Sequence, residues 1–248
     1  MGKRLLITGA GRGIGAATAR LAATRGYRVM VNYHRDPRSA EQLVQAIRAG
    51  GGEAVAWQAD VADERSVGAM FAELDRHWGG LDALVNNAGM LEQQCRLGQI
   101  DGARLQRVFA TNVFGSFFCA RQAVQRMSTA LGGDGGAIVN LSSIAASLGA
   151  PGEYLDYAAA KGAIDSFTRG LAKEVAAEGI RVNAVRPGVI DTGIHASGGE
   201  PGRVARVAPS VPLQRGGTAE EVAQAVLWLL SDEASYCTGA LLDVSGGR

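Results

Sequence analysis

Seven short runs rich in aliphatic and β-branched residues recur along this chain with helix-like stretches between them, and that alternation restricts the fold more than any other feature. The runs are Leu5 to Thr8, Tyr27 to Tyr33, Glu53 to Ala59, Leu81 to Asn86, Ala137 to Ser142, Ile180 to Val185 and Ala240 to Val244. The helical candidates are Ala16 to Arg25, Ser39 to Ala49, Asp63 to Trp78, Ala103 to Ala130, Leu155 to Glu178 and Ala219 to Leu230. Strands that alternate with helices build βαβ units and a parallel sheet. Leu5-Leu6-Ile7 and Val29-Met30-Val31 are apolar at consecutive positions, as central strands covered on both faces require. Ser39 and Gln42 have capping-box spacing, and Gly26, Gly79 and Gly179 fall where helix C-caps are expected.

At 248 residues and 47% hydrophobic content the chain can bury a full core, and no composition shift or repeat marks a boundary, so residues 1–248 read as one domain. The 25 Lys plus Arg against 24 Asp plus Glu form no dense basic tract, which argues against nucleic acid or a membrane surface and for a small-molecule partner. Met1-Gly2-Lys3-Arg4 leads straight into Leu5, so the fold is expected to begin almost at residue one, without a signal segment. Cys95, Cys119 and Cys237 fit neither a disulfide framework nor a metal knuckle, which suggests a cytoplasmic protein. His34, His77 and His195 show no ligand spacing, and no metal is expected. His195 reads as an exposed loop histidine, with substrate contact as the other reading.

Thr8-Gly9-Ala10-Gly11-Arg12-Gly13-Ile14-Gly15 follows the first strand and opens the first helix. Glycines at that turn let the backbone approach a pyrophosphate, and the following helix favours the anion with its N–H groups and dipole. An acidic residue at the end of the second strand would select NAD(H), yet the chain there reads Asn32-Tyr33-His34-Arg35, with no acid before Asp36. Arg12 and Arg35, with His34 as helper, suit a 2′-phosphate, so NADP(H) is expected over NAD(H).

Tyr157 and Lys161 stand one helical turn apart in a helical stretch, close enough for an ammonium to lower the phenol pKa. Alone, the pair also fits a partly buried aromatic beside a solvated lysine.

With the glycine loop, Asn86-Asn87-Ala88-Gly89 after the fourth strand, Asn112 in a long helix, Ser142-Ser143 ending the fifth strand, and Tyr157 with Lys161, the chain resembles the classical short-chain dehydrogenase/reductases over essentially its whole length. The tract from Pro151 to Tyr157 and on to His195-Ala196-Ser197-Gly198-Gly199-Glu200-Pro201 is similar to a branch of sugar dehydrogenase-like and 3-oxoacyl reductase-like members. The resemblance implies an α/β single-domain Rossmann fold, a doubly wound seven-stranded parallel sheet with helices on both faces. It implies a ketone and a secondary alcohol interconverted by hydride transfer, with Tyr157 as general acid or base, Lys161 activating it and holding the nicotinamide ribose, Ser143 orienting the substrate oxygen, and Asn112 holding a relay water. The serine usually stands about a dozen residues before the tyrosine. Ser143 is the nearer candidate, and Ser142, expected on the opposite strand face, is the second choice. Asp60 and Val61 would meet the adenine, Asn87, Ala88 and Gly89 the adenosine ribose, and Pro187, Gly188, Ile190 and Thr192 the nicotinamide carboxamide. Asn87 equally suits a bracing role. Met90, Ser147, Leu148 and Tyr154 are pocket candidates on position alone.

Residues 188–217 carry Pro201, Pro209 and Pro212, read as a long irregular segment, and so suggest a substrate lid without any charged cluster that would name a ligand. Small residues along 103–130 and 155–178 suit helix pairing into a homodimer or homotetramer, as in relatives the chain resembles. Two other classes compete: a non-catalytic dinucleotide-binding sensor or scaffold, which has no need of Asn112, Ser143, Tyr157 and Lys161 together, and a methyltransferase, which has no need of the Tyr–Lys pair.

Overall fold

The computed structural model describes residues 2–248; Met1, the first residue of the expected domain, lies outside the described residues. Strands β1 (Arg4–Ile7), β2 (Arg28–Tyr33), β3 (Glu53–Gln58), β4 (Ala83–Asn86), β5 (Gly136–Leu141), β6 (Ile180–Pro187) and β7 (Leu241–Val244) form one sheet in the order β3-β2-β1-β4-β5-β6-β7. Every pairing is parallel, with Leu5 opposite Val29 on one side and Ala83 on the other. Strand order reverses between β1 and β4, so the connections leaving those two strands diverge and open a crevice at their carboxyl ends.

Successive strand residues face opposite sides, and both sides are covered. Leu5, Ile7, Val29 and Val31 pack with α1 (Gly13–Thr24), α2 (Pro37–Ala49) and α10 (Ala219–Leu230). Leu6, Met30, Leu84 and Ile138 pack on the other face with α3 (Glu64–Trp78), α5 (Gly115–Met127) and α7 (Leu155–Val175). This is the parallel sheet that the alternation predicts, in the doubly wound seven-stranded form that the resemblance implies.

Four local features depart from the sequence reading. The capping residue of α2 is Asp36 instead of Ser39: its carboxylate accepts the Ser39 N–H at 3.2 Å and the Ser39 hydroxyl at 2.5 Å, and Pro37 starts the helix. The helix expected over 103–130 is interrupted. Helix α4 (Gly102–Phe109) widens into a π turn at Ala110–Phe114 before α5 resumes, which places Asn112 in the wide turn. Such single turns insert one extra residue and recur at functional sites. Residues 188–217 are not irregular either, but contain α8 (Ile194–Ser197) and α9 (Arg203–Val207). Helix α6 (Ala145–Leu148) also went unread in the sequence. Gly79 and Gly179 end their helices at φ of 71° and 76°, as read from the sequence, and Gly26 follows α1 at φ of 81°.

A polar chain runs through the core between sheet and α7. Asn86 Nδ2 donates to Asn140 Oδ1 at 2.9 Å, Asn140 Nδ2 donates to Thr168 Oγ1 at 2.9 Å, and Thr168 donates to the Ile164 carbonyl at 2.8 Å. Asn140 and Thr168 are fully buried, so removing one partner strands the other. Thr168→Val keeps the volume but removes the acceptor of Asn140 Nδ2. It is expected to lower stability by about 1–3 kcal/mol, a fall in Tm of roughly 2–9 °C by calorimetry.

Candidate active site

The carboxyl ends of β1, β4 and β5 border a cavity of about 1120 Å³ that extends from the Gly9 turn to Tyr157 and Lys161. Of the site residues inferred from sequence, all but Gly15 and Asn112 line it.

At the glycine end, Gly9 and Gly13 adopt φ of 60° and 55°, which a side chain would strain. A Cβ on Gly9 would lie 2.9 Å from Ala88 Cα, and one on Gly15 would lie 2.6 Å from Asn87 Nδ2 and 2.8 Å from Ala10 Cα. Helix α1 starts without a side-chain cap and without an acid in its first turn, leaving its N-terminal dipole to an external anion. Bare backbone, close packing and an uncapped helix start fit a dinucleotide pyrophosphate.

Two asparagines hold the turn. Asn87 Nδ2 donates to the Thr8 and Gly9 carbonyls at 2.8 and 3.0 Å, so the bracing role is the one the structure records. Asn32, which the sequence reading passed over, accepts the Gly9 N–H at 3.1 Å and donates to the Ala59 carbonyl at 3.1 Å. Its signal was present: a buried amide directly after Val29-Met30-Val31 has to find partners.

At the outer end, Arg12, Tyr33, His34, Arg35, Asp36 and Ser39 line the cavity. Asp36, the acid that would compete for a ribose hydroxyl, has both carboxylate oxygens engaged by Ser39. His34 does not stand free for a phosphate, because its Nε2 lies 3.6 Å from Asp60 Oδ2, while Asp60 Oδ1 accepts the Ala62 N–H at 3.0 Å.

At the inner end, Tyr157 and Lys161 project from α7 beside Ser143, which follows β5. Lys161 is 4% exposed, and its Nζ donates to the Leu141 carbonyl at 2.6 Å and lies 5.5 Å from the centre of the Tyr157 ring. Burial pushes this ammonium down to about 8, with Asp165 opposing the shift. The Tyr157 phenol does not move in the direction read from the sequence. Burial pushes it up to about 12, with Ser143 pulling the other way. Burial is the larger of the two causes, while the Lys161 ammonium donates to a backbone carbonyl and lies near the ring face. Ser142 Oγ donates to the Lys161 carbonyl at 3.1 Å, whereas Ser143 accepts the Ala145 N–H at 3.1 Å. Asn112 is fully buried, accepts the Met90 N–H at 3.1 Å and donates to the Met90 and Val108 carbonyls at 3.1 and 2.9 Å. It thus ties the π turn to the loop after β4.

Residues 188–217 are strapped to the loop before α7. Arg203 donates to Glu153 at 2.5 Å and to Glu200 at 3.1 Å, and Arg206 reaches the same two carboxylates at 3.0 and 2.9 Å. Hydrogen bonding to Arg203 holds the Glu153 carboxyl below its usual range. The segment carries a charged cluster, but its charges answer one another and so name no ligand, in keeping with the sequence reading. Tyr154 donates to the Gly198 carbonyl at 3.1 Å and belongs to the same strap. His195 is buried at 8% exposure, not an exposed loop residue, with Nε2 at 2.8 Å from the Ile190 carbonyl and its pKa lowered by burial. Ser147 does not line the cavity and instead accepts from Arg186 at 3.0 Å. No group of three or more potential metal ligands occurs among the described residues, and no helix there is long and apolar enough to cross a membrane.

The family profile described as Enoyl-(Acyl carrier protein) reductase matches residues 9–248. An uncharacterized oxidoreductase of Escherichia coli, YgfF, is 58% identical over 243 residues, covering 98% of each chain. The cis-4-hydroxycyclohexanecarboxylate dehydrogenase of Sinomonas cyclohexanicum is 42% identical over 98% of this chain and 94% of its own. The crystal structure of a short-chain type dehydrogenase/reductase from Mycobacterium marinum superposes with a TM-score of 0.93 at 33% identity, covering 99% of this chain and 95% of that one.

The depressed Lys161 pKa has a consequence for stability. Above about pH 8 the folded protein releases a proton that the unfolded chain keeps until its lysine titrates near 10.5, so folding becomes more favourable as pH rises through that window. Urea unfolding from about pH 7 to 9.5 is expected to show wild type gaining stability relative to Lys161→Met, and parallel curves would refute the assignment.

Proposed function

This chain belongs to the classical short-chain dehydrogenase/reductase family of oxidoreductases acting on CH–OH donors, and from that premise we propose that it interconverts a ketone and a secondary alcohol with NADP(H), Tyr157 being the general acid or base. The observation that carries this reading is that one cavity joins the bare glycine turn to Tyr157, Ser143 and Lys161.

When bound, the nicotinamide supplies or accepts the hydride, and the chain's own residues manage position and proton. A phenol raised to about 12 is fully protonated at neutral pH, the form needed to give a proton to a carbonyl oxygen. Ser143 polarises that oxygen by donating a hydrogen bond, and the phenolate left behind is stabilised by Ser143 and the Lys161 ammonium. Lys161 also holds the nicotinamide ribose, Asp60 and Val61 flank the adenine, and Ile190 and Thr192 take the carboxamide. Asn112 holds the loop after β4 beside Lys161: a Cβ on Gly89 would lie 2.9 Å from Asn112 Oδ1 and 3.7 Å from Lys161 Nζ. Arg12 and Arg35 face the 2′-phosphate, and the engagement of Asp36 by Ser39 supports NADP(H) over NAD(H).

In this reading residues 1–248 act as one cytoplasmic domain, residues 188–217 are the lid, and the chain assembles as a homodimer or homotetramer. Phe114, which ends the wide turn, and Phe117 of α5 are 50% and 44% exposed, which suits pairing through that part of the helix. A ring-borne secondary alcohol, as in the name of the Sinomonas relative, belongs to the candidate substrates, beside sugars, steroids, oxoacyl thioesters and small diketones.

Tyr157→Phe removes the transferable proton and is expected to lower kcat by at least about a hundredfold while NADPH still quenches tryptophan emission; wild-type turnover in this variant refutes the mechanism. Parallel titration with NADPH and NADH is expected to favour NADPH, and Arg12→Ala with Arg35→Ala to erase that preference. Equal affinities in the wild type would overturn the phosphate assignment.

A further inference from the structure

The first turn of α7 contains a buried ion pair that takes no part in the proton transfer. Arg104 of α4 and Asp156 of α7 are 7% and 3% exposed. Arg104 Nε donates to Asp156 Oδ2 at 2.6 Å, Nη2 donates to Oδ1 at 3.2 Å, and Nη1 donates to the Gln93 carbonyl at 2.7 Å. Asp156 Oδ1 also accepts the backbone N–H of Tyr157 at 3.0 Å. One guanidinium therefore joins the start of α7, the loop after β4 and the helix that leads into the wide turn of Asn112.

A buried ion pair contributes little net stability compared with packed apolar side chains of the same volume, because desolvation offsets the attraction. Its distinguishing property is direction. The planar guanidinium fork fixes two hydrogen bonds in one plane, and here the third goes to a different segment. The N–H of Tyr157 lies in the first turn of α7, where backbone donors lack partners inside the helix, so Asp156 supplies a partner at the residue whose side chain must be aimed. Burial raises the Asp156 carboxyl, yet Arg104 and the Tyr157 N–H together hold it below the usual carboxylate range, so it stays charged at neutral pH.

We propose that Arg104 and Asp156 are positioning residues for Tyr157: the fork sets the first turn of α7 relative to the Gln93 loop and the Asn112 turn, and so fixes the phenol against the substrate oxygen. The inference rests on the reading that Tyr157 transfers the proton. A misplacement of the order of 1 Å remote from the chemistry lowers turnover by up to about a hundredfold without altering the reacting groups.

The test compares Asp156→Asn and the double variant Arg104→Met with Asp156→Asn, which leaves neither charge buried alone, using NADPH as cofactor and diacetyl and cyclohexanone as carbonyl probes. The double variant is expected to fold and to bind NADPH within about twofold of wild type, with kcat per NADPH-binding site lowered roughly ten- to a hundredfold. The KM for NADPH and the pH of half-maximal kcat should stay in place, because the phenol itself is kept. Asp156→Asn alone, which keeps the Arg104 fork to the side-chain oxygen and to the Gln93 carbonyl, should lose less. Independently of any probe, hydrogen exchange at the amides of Tyr157 and the Gln93 loop should accelerate together in the double variant. A double variant that loses only thermal stability, with wild-type kcat per binding site or unchanged exchange, overturns the proposal. Tyr157→Phe is run in parallel: if it keeps turnover, the proton-transfer reading fails first; if it is inactive while the double variant is normal, the positioning role alone falls.

Discussion

An all-parallel sheet ends every strand at the same edge, and the backbone groups exposed there must find partners as the connections diverge on either side. This chain meets that constraint with side-chain amides and one ammonium. Asn32 and Asn87 close the turn after β1, Asn86 and Asn140 link β4 to β5, and Lys161 takes the Leu141 carbonyl at the end of β5. Asn32, Asn87, Leu141 and Lys161 of this set line the cavity, so closing those strand ends and building the site are one arrangement.

Burial then decides the electrostatics. Lys161 and Tyr157 lie within one turn of α7, yet each is shifted towards its neutral form, the lysine down to about 8 and the phenol up to about 12. A cation lowers a phenol pKa where the two charged forms meet. Here the ammonium is anchored to a carbonyl and faces the ring, and desolvation is the larger effect. At neutral pH the phenol is therefore protonated while the lysine, at about 8, still carries its charge.

Most of the architecture was legible because periodicity reports burial directly. Runs such as Val29-Met30-Val31 are apolar at every position only when both faces are covered, and the two packed faces are observed. The glycine turn was legible for a similar reason, since Gly9 and Gly13 take a backbone conformation that few other residues tolerate. What escaped were contacts between segments distant in sequence. The wide turn at Ala110–Phe114 has no local signature, because a π turn and an α turn share the same composition. The link from Glu153 to Arg203 and Arg206 spans about fifty residues, and no spacing rule connects them. His195 read as exposed because it stands in what looked like an irregular loop, yet the folded segment buries it with Nε2 against the Ile190 carbonyl.

The sequence by itself determined the parallel α/β sheet, the place of the glycine turn and the presence of Tyr157 and Lys161 on one helix, because each follows from local periodicity, glycine or fixed spacing. Only the tertiary structure decided the direction in which the Tyr157 phenol shifts, the partners of Asn32, Asn112 and Asp156, and the way residues 188–217 lie against the loop before α7. Those depend on desolvation and on which distant groups meet, and neither quantity is defined until the chain has folded.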